Sequence, residues 1–168
     1  IGVQSFFEED LVFMNRSHNA QQSVDAIDQA QKLGFDNITI DLIYGSNTTT
    51  NEMWEKNIAI ALELKIPHIS SYCLTIEEKT VFHDWTKKGK IAKPNEEKAN
   101  FQFEYLIDSL TQNGYDHYEI SNFGKPTFHA LHNTNYWRGH HYLGVGPSAH
   151  SYDGNRRTWT AANNIQYM

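Results

Sequence analysis

Apolar residues recur at the three- and four-residue spacing of an amphipathic helix in three stretches of the chain. The stretches are 19–33, 49–64 and 95–114. Asn19, Thr49 and Asn95 stand where helix N-caps are expected, and Gly34 and Gly114 stand where two of the helices should stop. The pattern therefore predicts three amphipathic helices, each with one apolar face.

Three shorter stretches have the composition and alternation of β-strands. They are Ile1–Phe6, 35–44 and 68–76. The acidic residues 8–10 are interpreted as a turn after the first strand, and a polar loop separates the third strand from the third helix. Strands and helices that alternate at this spacing predict a parallel sheet with right-handed crossovers, because a tight turn cannot join parallel neighbours.

One side of the predicted sheet is small and polar. In strand 35–44 the bulky residues share one side, which leaves Thr39 and Asp41 on the other. Ser71, Cys73 and Thr75 are interpreted as the matching polar side of the third strand. We expect this polar face to line a cavity. Since three strands do not close an eight-stranded barrel, the sheet is either open or part of a barrel.

Composition excludes several broad classes of protein. The chain has 168 residues, enough for one core, and 14 basic against 20 acidic residues, a balance that argues against a nucleic-acid partner. Its apolar runs are too short to span a bilayer, which predicts a soluble protein. The one cysteine, Cys73, suits a reducing cytoplasm and cannot hold an iron–sulfur cluster alone. Because the chain opens with Ile1 in a predicted strand, we expect it to be a piece of a longer protein.

Asp41 is the first candidate for a functional role, because a carboxylate on the cavity side of a sheet requires a cation or hydrogen-bond donors. It can form a salt bridge within the protein or accept hydrogen bonds from ligand hydroxyls. Gln4 on the neighbouring strand can both donate and accept, and the forked guanidinium of Arg16 suits a ligand carboxylate. Both of these side chains can equally be structural.

Histidines are frequent in the last third of the chain, but their spacing matches no zinc-binding motif. Surface and packing roles account for most of them. His132 stands out because Tyr136 and Trp137 follow it closely, and a flat apolar cofactor with an axial metal uses an imidazole and aromatic walls. The same composition also occurs in ordinary aromatic cores.

Seven strings, in their order and spacing, resemble one protein family. They are GVQSF (2–6), NRSHN (15–19), NITIDLIYG (37–45), HISSYCLTIE (68–77), YEISNF (118–123), HNTNYWRG (132–139) and YLGVGPSAHS (142–151). They resemble the oxygen-independent coproporphyrinogen III oxidase family of radical S-adenosylmethionine (SAM) proteins. Within that family, the HNxxYW string resembles the one found in the branch described as heme chaperones, since the decarboxylating oxidases generally lack it.

The resemblance implies part of an open (β/α)6 barrel over residues 1–94, its C-terminal half, and a family-specific α+β segment over 95–168. It also implies a 4Fe-4S cluster, held by a CxxxCxxC loop, that cleaves SAM to a radical. That loop is absent from these 168 residues. We therefore expect no metal ligand, no catalytic residue and no bound cofactor in this chain alone.

Individual positions carry the family's cofactor contacts over to this sequence. Gln4, Arg16 and Asp41 match positions where the family contacts SAM, and Thr75 falls near a backbone contact. His132 matches the heme-associated histidine. The resemblance suggests that Asp41 and Gln4 contact the ribose hydroxyls of SAM and that Arg16 contacts its methionyl carboxylate. The loop 46–50 departs from the family's Leu-Pro-Gly-Gln-Thr.

The resemblance implies three alternative functions for the full-length protein. The first is heme binding and transfer to apoproteins, the second is oxidative decarboxylation of coproporphyrinogen III, and the third is another radical SAM reaction. The HNxxYW string favours the first. We further expect the chain to be cytoplasmic and to self-associate through a sheet edge that the missing barrel strands would cover.

Overall fold

The computed structural model describes all 168 residues and divides them into two compact units, Ile1–His129 and Ala130–Met168. This division follows the packing of the chain. The sequence-based division after residue 94 concerns the barrel that the family resemblance implies, and it stays a prediction.

The first unit is a mixed sheet with helices. Its helices are α1 (Glu8–Phe13), α2 (Ala20–Lys32), α3 (Asn51–Glu63), α4 (Val81–Lys87) and α5 (Glu96–Gln112), and its strands are β1 (Thr39–Tyr44), β2 (His68–Cys73), β3 (Asp116–Glu119) and β4 (Asn122–Gly124). The strand order is β1-β2-β4-β3. β1 and β2 are parallel, whereas β4 is antiparallel to both of its neighbours.

The three predicted helices form, and their caps explain where they begin. Asn19 makes a capping box with Gln22 at the start of α2, and Asn95 accepts a hydrogen bond from the Lys98 amide at the start of α5. The cap of α3 is Thr50, one residue later than predicted, and it accepts from the Met53 amide. Short polar side chains thus set the N-termini.

The core lies between one face of the sheet and helices α3 and α5. Ile40 and Leu42 of β1 are fully buried on this face. Tyr44 of the same strand packs on Trp54 of α3 and stacks on Phe103 of α5. The predicted alternation in β1 is confirmed, because Thr39, Asp41 and Ile43 are less buried than their neighbours.

The predicted strand Ile1–Phe6 does not form as a regular strand. Residues 1–4 do lie parallel to β1, with the Gln4 amide donating to Asp41 O and the Ile43 amide donating to Gln4 O. Gln4, however, has φ 66°, a left-handed conformation that breaks the extended backbone. The expected acidic turn that follows is instead the start of helix α1.

The prediction for the polar side of the third strand was wrong by one residue. In the parallel register Asp41 lies beside Ser70, while Leu42 lies beside Ser71 and Tyr44 beside Cys73. Paired residues point to the same side of a sheet, so Ser71 and Cys73 belong to the helix side.

Two further features of the first unit were not predicted. Helix α4, capped by Thr80, lies within the stretch interpreted as a polar loop. β3 and β4 form an antiparallel hairpin joined only by residues 120 and 121. The three-strand parallel sheet was therefore only partly correct, and the coarser prediction of an α/β fold holds.

The second unit is small and aromatic. It contains α6 (Leu131–Trp137), the antiparallel pair β5 (His150–Tyr152) and β6 (Arg157–Trp159), and α7 (Asn164–Tyr167). Tyr142 forms an antiparallel bridge with Tyr152, which brings the segment after α6 alongside β5. Across the chain, no helix has both the length and the apolar character that crossing a membrane requires.

Candidate functional site

Two of the predicted SAM-contacting side chains meet at Gly2. A Cβ atom placed on Gly2 would lie 2.9 Å from Gln4 Nε2 and 3.4 Å from Arg16 Nη2. The absence of a side chain at Gly2 therefore makes space for an amide and a guanidinium to lie together. Gln4 reaches this place from the segment paired with β1, and Arg16 reaches it from the loop after α1.

Asp41 lies on the same strand pair and within electrostatic reach of Arg16. Partial burial raises the pKa of Asp41, and the Ser70 hydroxyl and the charge of Arg16 each oppose that rise. The Asp41 carboxylate is therefore within electrostatic reach of Arg16, although the two side chains do not form a salt bridge.

A row of polar side chains crosses the whole sheet from Asp41. The strand registers align Asp41 with Ser70, Ser70 with Asn122 and Asn122 with Glu119. Ser70 Oγ donates to Asn122 Oδ1 at 2.7 Å, and Asn122 Nδ2 donates to Glu119 Oε1. Because ionised Glu119 only accepts hydrogen bonds, it fixes the orientation of the Asn122 amide and so the direction of the Ser70 bond. The row stabilises the face that carries Asp41.

Thr75 lies apart from this row. It is exposed and follows the end of β2 by two residues. Since β1 and β2 are parallel, Thr75 lies beyond the carboxyl-terminal edge of that pair. The structure thus brings Gln4 and Arg16 together with Asp41 nearby, and it places Thr75 outside the group. The role of all four toward SAM stays a prediction.

Asp10 is an important polar residue that sequence reasoning missed. It is fully buried and accepts hydrogen bonds from Ser5 Oγ at 2.8 Å, Thr48 Oγ1 at 2.5 Å and Thr49 Oγ1 at 2.9 Å. Through these bonds α1 holds the loop that follows β1. The sequence signal for it is the run of three threonines at 48–50, which offers more hydroxyl donors than a helix cap requires.

Gln102 of α5 holds the same loop from the other side. Its side chain is buried, accepts from the Gly45 amide at 2.8 Å and donates to Thr49 O at 3.2 Å. Lys98 Nζ donates to Ser46 O at 2.7 Å. The loop whose sequence departs from the family pattern is therefore fixed by buried polar contacts.

A buried histidine and a partly buried tyrosine form a pair beside the polar row. His68 is buried, and its Nε2 lies 2.6 Å from Tyr118 Oη. Burial lowers the pKa of His68 to about 4, the charge of His129 adds to the lowering, and Glu119 opposes it. His129 in turn stacks on Tyr118 and contacts Asp116 at 2.9 Å.

In the second unit, His132 lines a cleft of about 660 Å³. The other lining residues are Tyr136, Tyr142, Leu143, Gly144, Val145, Ser148, Ala149, His150 and Arg157. The His132 ring meets Tyr136 edge to face at 5.0 Å. The cleft combines two imidazoles, apolar walls and one cation, and its volume is typical of a small-molecule site.

The chain shows no cluster of three or more His, Cys, Asp and Glu side chains that could hold a metal ion by themselves. A metal held at the cleft would therefore have to bring other ligands of its own, as the iron of heme does through its porphyrin nitrogens.

The chain is similar to several curated proteins, although no family model matches it. It is 42% identical over 152 residues to the heme chaperone HemW of Lactococcus lactis, 36% over 157 residues to that of Bacillus subtilis and 37% over 150 residues to that of Escherichia coli. These matches cover 90%, 94% and 89% of this chain. The chain spans 40%, 41% and 39% of the three relatives.

The fold is also similar to that of a solved structure, the coproporphyrinogen III oxidase HemN of Escherichia coli, which is described as a radical SAM enzyme. The TM-score is 0.77 at 23% identity, over 99% of this chain and 41% of that one. The chain belongs to the radical SAM family of oxygen-independent coproporphyrinogen III oxidase-like proteins. The three relatives named above are heme chaperones, which is the branch that the HNxxYW string predicts.

Proposed function

We propose that this chain is part of a radical SAM protein that binds heme and passes it to apoproteins. The cleft that contains His132 carries this proposal. The iron of heme takes imidazole ligands, its ring takes apolar walls and its propionates take cations. Leu143, Val145 and Arg157 supply the walls and the cation around His132.

We propose a second role for the sheet of the first unit, in which its polar face lines the SAM site of a partial (β/α)6 barrel. Asp41 and Gln4 would accept and donate hydrogen bonds to ribose hydroxyls, and Arg16 would pair with the methionyl carboxylate. Thr75 would offer a backbone contact. The proximity of Gln4 to Arg16 and the electrostatic reach of Arg16 to Asp41 support a shared ligand.

These 168 residues do not supply the cysteine ligands that an iron–sulfur cluster needs. Its one cysteine, Cys73, is on the helix side of β2, away from Asp41. In the longer protein, cysteines beyond these residues would hold the cluster, which supplies the electron for SAM cleavage. The residues described here would bind and orient SAM.

Heme titration of the full-length protein tests the proposed function. We expect hemin to bind with a Soret band, and His132→Ala to abolish that band or shift it strongly. The matched control is His140→Ala, because His140 is an exposed histidine of the same segment that does not line the cleft.

A porphyrinogen assay on the same samples tests the alternative. Conversion of coproporphyrinogen III to protoporphyrinogen IX without heme binding would favour the oxidase function. Unchanged heme spectra in His132→Ala would show that His132 is structural.

A further inference from the structure

We propose that His150 is the second axial ligand of the heme, opposite His132, and that Arg157 holds a heme propionate. This inference rests on the proposed heme-binding function and names the residues that complete the site. His150 belongs to the string YLGVGPSAHS, for which the sequence provided no role.

The two histidines reach the cleft from different elements. His132 lies in the first turn of α6, and His150 is the first residue of β5. Both line the same cleft of about 660 Å³. A flat macrocycle whose iron takes one ligand from each face needs its two imidazoles on separate elements, so that the ring can lie between them.

The backbone around His150 is closely packed. A Cβ placed on Gly144 would lie 2.1 Å from His150 O, so only glycine allows this approach. The Gly144 amide donates to Ser151 Oγ at 2.9 Å, and His150 pairs with Trp159 of β6. These contacts fix the position from which the exposed imidazole extends, which lowers the entropic cost of binding.

Two other histidines have contacts that make them poor ligands. A Cβ on Gly154 would lie 2.6 Å from His141 Nε2, so that ring is packed against the backbone of the turn before β6. His129 contacts Asp116 at 2.9 Å and stacks on Tyr118. His150 lines the cleft and has its ring at 6.2 Å from Trp159.

The cleft also has the walls and charge for a porphyrin. Leu143 and Val145 are 84% and 79% exposed, a large apolar surface that a porphyrin ring would cover. Arg157 Nε donates to Tyr142 Oη at 3.0 Å, which orients the guanidinium and leaves the Nη groups for a carboxylate.

The test compares the heme spectra of full-length variants. With two imidazole ligands, the wild-type heme should be six-coordinate and low-spin. His150→Ala should leave a five-coordinate high-spin heme held by His132, with at least tenfold weaker hemin binding. Added imidazole should restore the low-spin spectrum. Arg157→Gln should weaken hemin binding several-fold without a change of spin state, while His140→Ala should match the wild type in both.

The outcomes separate this inference from the function on which it rests. If wild-type protein binds hemin through His132 but His150→Ala keeps a six-coordinate low-spin spectrum, His150 is not a ligand and the proposed function stands. If hemin affinity in Arg157→Gln is unchanged, the propionate assignment is wrong. If wild-type protein binds no hemin, both proposals are overturned.

Discussion

At the scale of single residues, Asp41 is the sharpest test of the proposed SAM site. Asp41→Ala in the full-length protein should weaken SAM binding by about 1–3 kcal/mol, the range for loss of a charged hydrogen-bond acceptor. Isothermal titration calorimetry measures this change. Asp36→Ala is the matched control, because Asp36 is an exposed aspartate just before β1. Equal SAM affinities in the two variants would contradict the assignment.

His68 should make stability depend on pH. Its folded-state pKa of about 4 lies below the ordinary value of 6.5, because it is buried and near His129, with Glu119 opposing. Between these pH values the unfolded chain binds a proton that the folded chain does not, so the free energy of unfolding falls as pH drops from about 6.5 to 4. The difference amounts to about 3 kcal/mol.

Urea unfolding at several pH values measures this dependence. His68→Gln should flatten the curve between pH 6.5 and 4, whereas His140→Gln, at an exposed position, should leave its slope unchanged. A His68 that titrates near 6.5 by NMR would contradict the prediction.

At the scale of elements, the carboxylate of Asp10 joins α1 to the loop after β1. Asp10→Ala leaves the hydroxyls of Ser5, Thr48 and Thr49 without their shared acceptor, and should lower the free energy of unfolding by about 1–3 kcal/mol or more. Glu9→Ala on the same helix removes an exposed carboxylate and is the control. Denaturant unfolding compares them; equal stability would show that the hydroxyls find other partners.

The sequence predicted elements where a local signal decides the structure. α2 and α5 begin after Asn19 and Asn95 because each cap is satisfied within one turn. The first strand was predicted less well, because the left-handed backbone at Gln4 is imposed by its surroundings and leaves no mark in the pattern. Alternation in β2 identified two faces of the strand. Which of them lies on the same side of the sheet as Asp41 depends on the register between β1 and β2.

The sequence likewise predicted part of the candidate site, namely individual residues, but not the contacts between distant elements. Side-chain chemistry first singled out Gln4, Arg16 and Asp41, motif resemblance then assigned them to SAM, and the structure places the first two together. The polar row that continues to Glu119 could not be read from the sequence, because it depends on the pairing of β2 with a distant hairpin. The sequence offered no role for His150, since its string matches no ligand motif.

At the scale of the whole molecule, exposed apolar side chains predict self-association of the 168-residue chain. Leu143 and Val145 are largely exposed, and apolar patches of this kind promote association. Sedimentation velocity at increasing concentration should therefore show species larger than the monomer. Leu143→Ser with Val145→Ser should reduce them.

The control for this prediction is Val12→Ser, which changes a valine that is 74% exposed on α1. If association comes from the second unit, this control should sediment as the parent chain does, because α1 lies in the first unit. A chain that sediments as a monomer at every concentration would contradict the prediction. If Val12→Ser reduces association as much as Leu143→Ser with Val145→Ser does, the associating surface is not the cleft.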